Sequence, residues 1–253
     1  MTEAAQRLIF LLALLSLWEL TARYGPWPRY LFPPPSKVGG SLVQLIQNGS
    51  LAKATLRSMI RLMEGYFISA AIGVPLGFLI ARVKFFRLNV KPIVMGLQAL
   101  PSICWLPLAL LWFGLSESAI VFVVVMGSLL AISISAEDAV HGIQPILLNV
   151  SGTLGIRGRR FYTGVLAPAA LPGIVTGLKL GWSFAWRALM AGELLFVSGG
   201  LGQLLTVGRD LLDVAQVMGV MIAIVIIGMV VDRVVFRSVE VRIRKRWGLV
   251  SPA

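Results

Sequence analysis

Apolar residues in this chain fall into blocks of about 20, the length that carries an α-helix across a hydrocarbon core roughly 30 Å thick. Short segments rich in Lys, Arg, Pro or Gly separate the blocks. The first block runs from about Leu8 to Ala22. Pro26, Pro28, Pro33, Pro34 and Pro35 then force an irregular segment, because prolines remove donors and stop helices. Ser36 is placed to cap a short amphipathic helix that ends near Asn48. A second span starts near Leu51 and is apolar from about Met59 to Ala81 apart from Arg61 and Glu64, and the third runs from Pro92 to about Phe113. After a turn at Gly114 to Glu117 the fourth span runs from Ser118 to Ala136. A long loop, Glu137 to Ala167, precedes a fifth span from Pro168 to Val197, and a Gly-rich loop leads to a sixth from Val214 to Val235. The expected fold class is all-α, a polytopic membrane protein with about six transmembrane helices. In sequence order it comprises an N-terminal helix with a Pro-rich outer segment (1–50), a core of five spans (51–235) with an inner loop at 137–167, and a basic tail (236–253).

Composition sharpens this picture. Hydrophobic residues make up 57% of the chain and charged residues 13%. A soluble domain carries roughly a quarter charged residues, so an ordinary soluble enzyme, a disordered chain and a fibrous protein are excluded. The net charge of +12 sits between apolar blocks, the pattern that holds basic helix ends in the cytoplasm, and not in a patch suited to nucleic acid. Arg82, Lys84, Arg87 and Lys91 thus mark one cytoplasmic turn, Arg157, Arg159 and Arg160 a second, and Arg237, Arg242, Arg244, Lys245 and Arg246 a cytoplasmic C-terminus. Both termini are expected inside. The first outer loop runs against the rule, with Arg23, Arg29, Lys37, Lys53 and Arg57. Glu19 interrupts the first block and no small-residue cleavage site follows, so that block reads as a retained helix and not a signal peptide. Cys104 stands alone in an apolar block, which excludes an intrachain disulfide and a multi-thiolate metal site.

Within the inner loop, Ile146, Leu147, Val150 and Leu154 recur near helical spacing from Pro145 onward, and Gly155 can end that helix in a left-handed conformation. Such a helix, held between two spans, is able to transmit motion from a soluble partner. Gly173, Gly177 and Gly181 line one face of the fifth span, and Gly73 and Gly77 form a smaller version in the second; both read as close packing faces. Ionisable residues within spans are costly and therefore candidates for function. Lys179, Arg187 and Glu193 lie on the fifth span, and Arg61 and Glu64 on the second, three apart and placed to pair. Two readings stand for Arg187: a charge for an anion to pass, or a salt bridge to Glu193 or Glu64. His141 is the only histidine and reads as a solvated loop residue. No G-x-x-x-x-G-K-[ST] sequence occurs, and no set of nucleophile, base and acid stands at membrane depth. No cofactor or metal site is expected, and the chain is not expected to be an enzyme.

The inner loop reads Asn149-Val150-Ser151, three residues, Gly155, nine residues, then Val165-Leu166-Ala167-Pro168. That spacing resembles the EAA loop of binding-protein-dependent ABC importer permeases, written E-A-A, three residues, G, nine residues, I-x-L-P. Gly155 and Pro168 are in register, while the first three residues, Val165 and Ala167 depart from the letters. Ser58 to Gly65, Gly73-Val74-Pro75-Leu76-Gly77, Pro101-Ser102, Trp105-Leu106-Pro107-Leu108 and Trp112-Phe113-Gly114 resemble the nitrate/sulfonate/bicarbonate (taurine-type) permeases. So do Leu31 to Val38 and Ala169 to Lys179, and the likeness covers nearly the whole chain.

The resemblance implies a type I ABC importer permease fold and a translocation pathway for a small anion or organosulfonate-like solute. It implies ABC ATPase subunits docked on Asn149, Val150, Ser151, Gly155 and Pro168, and a periplasmic or extracellular solute-binding protein. It also implies a multi-pass place in the bacterial inner (cell) membrane lipid. A homodimer is the simplest permease pair. Candidate pathway residues are Arg187, Gln98, Ser102, Trp105 and Glu193. Lys179 falls where the family commonly carries a basic residue, which implies a structural or snorkelling role. The rivals are a self-contained secondary transporter and an intramembrane enzyme; the sequence shows little of the repeats, buried acids or clustered ligands they need.

Overall fold

A computed structural model describes residues 3–28, 30–194 and 198–246, with side chains between residues 5 and 243. Arg29, the expected end of the fifth span at Val197 and the side chains of Arg244, Lys245 and Arg246 lie outside the described residues. All regular structure among the described residues is helical. Five helical stretches are long and apolar enough to cross a membrane: Ala5–Tyr24, Ser50–Arg82, Glu117–His141, Arg159–Glu193 and Val214–Ile243. A sixth is made of two pieces, Phe86–Gln98 and Ser102–Phe113, bent by 102° at their junction. The chain divides into two compact units, one of residues 1–58 and 193–227, the other of 59–192 and 228–253.

The first unit holds α1 (Glu3–Tyr24), α2 (Pro35–Gln47), the first turns of α3 (Ser50–Arg82), α10 (Leu201–Asp210) and most of α11 (Val214–Val231). In α1 nearly every large apolar side chain is exposed, as a lipid-facing helix requires. Proline fixes the start of α2: its N-cap is Pro34 and its first residue Pro35, whose missing N–H is no loss in a first turn. Ser36 is therefore not the cap expected from sequence. Its N–H and hydroxyl instead donate to the Glu19 carboxylate of α1, at 3.2 and 3.0 Å, so an acid interrupting an apolar block tethers two helices.

The second unit is built around α6 (Glu117–His141), which Ser116 starts by accepting the Ala119 N–H. Glycines on both neighbours let them approach it closely. On α3 a side chain at Gly65 would meet Val124, and one at Gly77 would meet Ala136 at 2.6 Å. On α9 (Ala167–Glu193), Gly173 and Gly177 sit against Ala139 and Ser135 at 2.6 and 2.5 Å from where a Cβ would stand. Gly181 meets Ile132 in the same way. The helical glycine spacing thus marks packing faces on two helices that sandwich a third. Apolar clusters complete the core: Ile80, Val94 and Leu130 in one, and Val140, Leu166, Ala170 and Ile174 in another.

The third and fifth spans differ most from the sequence reading, and the fourth and sixth run past their expected ends, to His141 and Ile243. The third is not continuous: a π-helical segment, Phe86–Val90, leads into α4 (Lys91–Gln98), and a short 3-10 turn, Ser102–Trp105, leads into α5 (Leu106–Phe113). Pro101 causes the break, since the residue before a proline is pushed out of helical conformation. The fifth span starts earlier than Pro168, at α8 (Arg159–Phe161), and passes through a second π-helical segment, Tyr162–Leu166, into α9. In both places a proline, Pro92 or Pro168, follows two residues after the π segment. A π turn already shifts the hydrogen-bond pattern, so it absorbs the donor that proline lacks.

Candidate functional site

The inner loop forms α7 (Pro145–Thr153), with Pro145 at its first position. Its end is a complete Schellman arrangement. Gly155 has φ of +67°, its N–H donates to the Gly152 carbonyl at 3.1 Å, and the Ile156 N–H donates to the Ser151 carbonyl at 3.0 Å. The four apolar residues expected on this helix are indeed a face, and it is uncovered: Ile146, Leu147, Val150 and Leu154 are all exposed, Leu154 by 69%. A groove of about 1100 Å³ lies beside it, lined by Val150, Ser151 and Pro168 together with Gly173, Thr176 and Gly177 of α9. Asn149 and Gly155 stand outside that lining, on the exposed side of the loop.

A second, smaller cavity of about 280 Å³ opens where the broken span meets α6 and α9. Gln98, Ser102 and Arg187 line it, with the irregular residues Ala99, Leu100 and Pro101 between the first two. Met126, Gly127 and Leu130 of α6 form another wall. Gly127 is needed there, because a side chain would collide with Ala188 at 2.6 Å. The Arg187 guanidinium lies 4.5 Å from the Phe184 ring centroid, and its Nε donates to the Ser183 carbonyl at 3.1 Å. Among the described residues it has no carboxylate partner.

The remaining sequence candidates lie elsewhere. Trp105 packs against the apolar cluster of Leu106, Ala109 and Ala119. Glu193 is fully buried in the first unit, where Ser58 donates to its carboxylate at 2.8 Å. The Gly202 N–H donates to Glu193 Oε2 at 3.0 Å and the Leu201 N–H to Ser58 Oγ at 2.9 Å. Gly200, the N-cap of α10, has no side chain to offer, so Ser58 and Glu193 supply the cap from other parts of the chain.

Three ion pairs escaped sequence reading because their partners are far apart in the chain. Arg61 pairs with Glu117, through Nη2 to Oε1 at 2.6 Å and through Nε, and not with Glu64, which is exposed. Lys91 meets the fully buried Glu137 at 2.6 Å, with His141 Nδ1 at 3.6 Å from the same oxygen. Lys179 lies 3.3 Å from Asp232, so this cation is paired and does not simply snorkel. The expected packing glycines were legible; these pairings had no local signal. No group of three metal-ligating side chains occurs among the described residues.

Comparison with known proteins bears on this geometry. The family model for the binding-protein-dependent transport system inner membrane component matches residues 73–246. A protein of Methanocaldococcus jannaschii named as an ABC transporter permease is 33% identical over 86% of this chain and 83% of its own length. The bicarbonate transport system permease protein of Synechocystis is 30% identical over 76% of this chain and 71% of its own. The taurine transport system permease protein of Escherichia coli is 26% identical over 88% and 82%. In structure, the chain is similar to one in inward-facing crystals of the MetNI methionine ABC transporter, with a TM-score of 0.68 at 20% identity, covering 77% of this chain and 96% of that one.

Proposed function

The chain belongs to the family of inner membrane components of binding-protein-dependent transport systems and is a permease subunit of an ABC importer; we propose that its solute is a small anion or organosulfonate-like molecule. The family match favours the importer subunit over a self-contained secondary transporter. Permeases named for bicarbonate and taurine, among its relatives, support the solute class. ATP is hydrolysed by separate ATPase chains, and an external solute-binding protein delivers the solute. Two copies of this subunit form the permease pair.

The observation that carries the reading is α7, a rigid helix between two spans with an uncovered apolar face and a fixed C-terminus. Exposed Ile146, Leu147, Val150 and Leu154 offer the ATPase an apolar surface, Gly155 fixes the end of that helix, and Asn149, Ser151 and Pro168 belong to the same docking loop. Both termini and the Arg82–Lys91 turn face the cytoplasm, on the strength of the Lys and Arg distribution. Glu193 is a structural residue in this proposal, since its carboxylate is committed to the cap of α10.

Replacing Gly155 by valine tests the docking. At φ of +67° a β-branched residue costs about 1 kcal/mol or more locally, which unwinds the end of α7. The expected result is reduced ATPase copurification and reduced solute uptake in reconstituted vesicles. Normal values of both in Gly155→Val overturn the docking assignment.

A further inference from the structure

We propose that the cavity beside Arg187 is an oxyanion-binding site belonging to the permease itself, taking a small anion by an O–X–O edge on the outer fork of the guanidinium. This rests on the importer reading above and adds that the membrane subunit selects for charge, in addition to whatever the binding protein selects.

Depth is the first argument. α6 has 25 residues, about 37 Å of helix, and the residues it gives to the cavity, Met126, Gly127 and Leu130, begin about 14 Å from its start. The cavity therefore opens near mid-depth of a span. Non-helical backbone at such depth is tolerated where it lines a cavity, and Ala99, Leu100 and Pro101 do so here.

Preparation of the arginine is the second. An intramembrane cation defaults to function unless something neutralises it. Arg61 on α3 and Lys179 on α9 each have a carboxylate; Arg187 has a backbone carbonyl at Nε and an aromatic ring under its plane. Those two contacts fix the group's orientation without cancelling its charge. They occupy its Nε and one face, while Nη1 and Nη2 carry no partner among the described residues. A fork of two parallel N–H donors is the geometry that meets two oxygens of a carboxylate, nitrate, bicarbonate or sulfonate group.

The third is the composition of the walls. Among the described residues no acidic one lines the cavity, and Gln98 and Ser102 supply neutral side chains able to hydrogen-bond remaining oxygens. At about 280 Å³ the space suits a solute of a few heavy atoms and not a peptide.

The test uses the permease–ATPase complex in lipid nanodiscs with no binding protein present, titrated calorimetrically with sodium nitrate and with sodium methanesulfonate. Saturable binding of at least one salt is expected. In Arg187→Gln it weakens by about tenfold or more, and in Arg187→Lys by less, because charge is kept and the fork is lost. Lys84→Gln, which removes an exposed cation outside the cavity lining, binds as the parent does. Wild-type complex that binds neither salt, or Arg187→Gln that binds as tightly as wild type, overturns the proposal. Should Arg187→Gln not assemble, the double variant Gln98→Ala, Ser102→Ala keeps the arginine and decides the matter: affinity reduced about threefold or more supports the site, unchanged affinity overturns it. If the permease is isolated without an ATPase, it is the importer reading that fails, and the same titrations on the permease alone still judge the site.

Discussion

Arg61 and Arg187 are the same residue type on helices of the same kind, and the structure treats them in opposite ways. Arg61 is 2% exposed and held by Glu117. Arg187 is exposed to a cavity, oriented by a carbonyl and a ring, and faces no carboxylate among the described residues. A cation inside an apolar helix must be neutralised or solvated. The first arginine meets that need through the fold and so stabilises it; the second leaves it to whatever enters the cavity.

Stability measurements on the assembled complex break or sharpen this contrast. Glu117→Gln removes the carboxylate that neutralises the buried Arg61 charge and is expected to cost about 3 kcal/mol or more, seen as a loss of assembled complex and a lower melting temperature. A melting temperature equal to wild type would show that the pair adds nothing. Glu137→Gln comes next: its carboxylate is fully buried against Lys91, and a neutral amide there is expected to cost roughly 1–3 kcal/mol. Arg187→Gln is expected to change stability by less than about 0.5 kcal/mol, because no partner is stranded. A loss as large as that of Glu117→Gln would make Arg187 structural and erase the distinction.

The gentlest experiment changes no stability at all. With Cys104 replaced by alanine, a cysteine at Asn89 is expected to resist an impermeant thiol reagent added outside. Ready labelling would invert the orientation.

Local features were legible in the sequence for local reasons. Gly155 announces a helix end because positive φ is a property of one residue, and the structure gives it φ of +67°. Gly173, Gly177 and Gly181 announce a packing face because spacing along a helix fixes direction, and all three press on α6. Pro101 held the clue to the broken third span, but apolar residues continue on both sides of it and hide a 102° bend. Hydropathy records how apolar a segment is and carries no information about its straightness.

What the sequence by itself determined was the number and approximate extent of the apolar helices, the glycine faces and the inner-loop helix, since each follows from periodicity or from one residue's conformational range. What only the tertiary structure decided was who meets whom. Arg61 finds Glu117 at a separation of 56 residues and passes over Glu64 only three away, and Lys91 finds Glu137 at a separation of 46. Residues 193–227 join the first 58 in one compact unit. Gln98, Ser102 and Arg187 come to one cavity from a broken helix and a continuous one. Charge attraction and packing act through space, and along an apolar helix many acids are equally eligible partners until folding selects one.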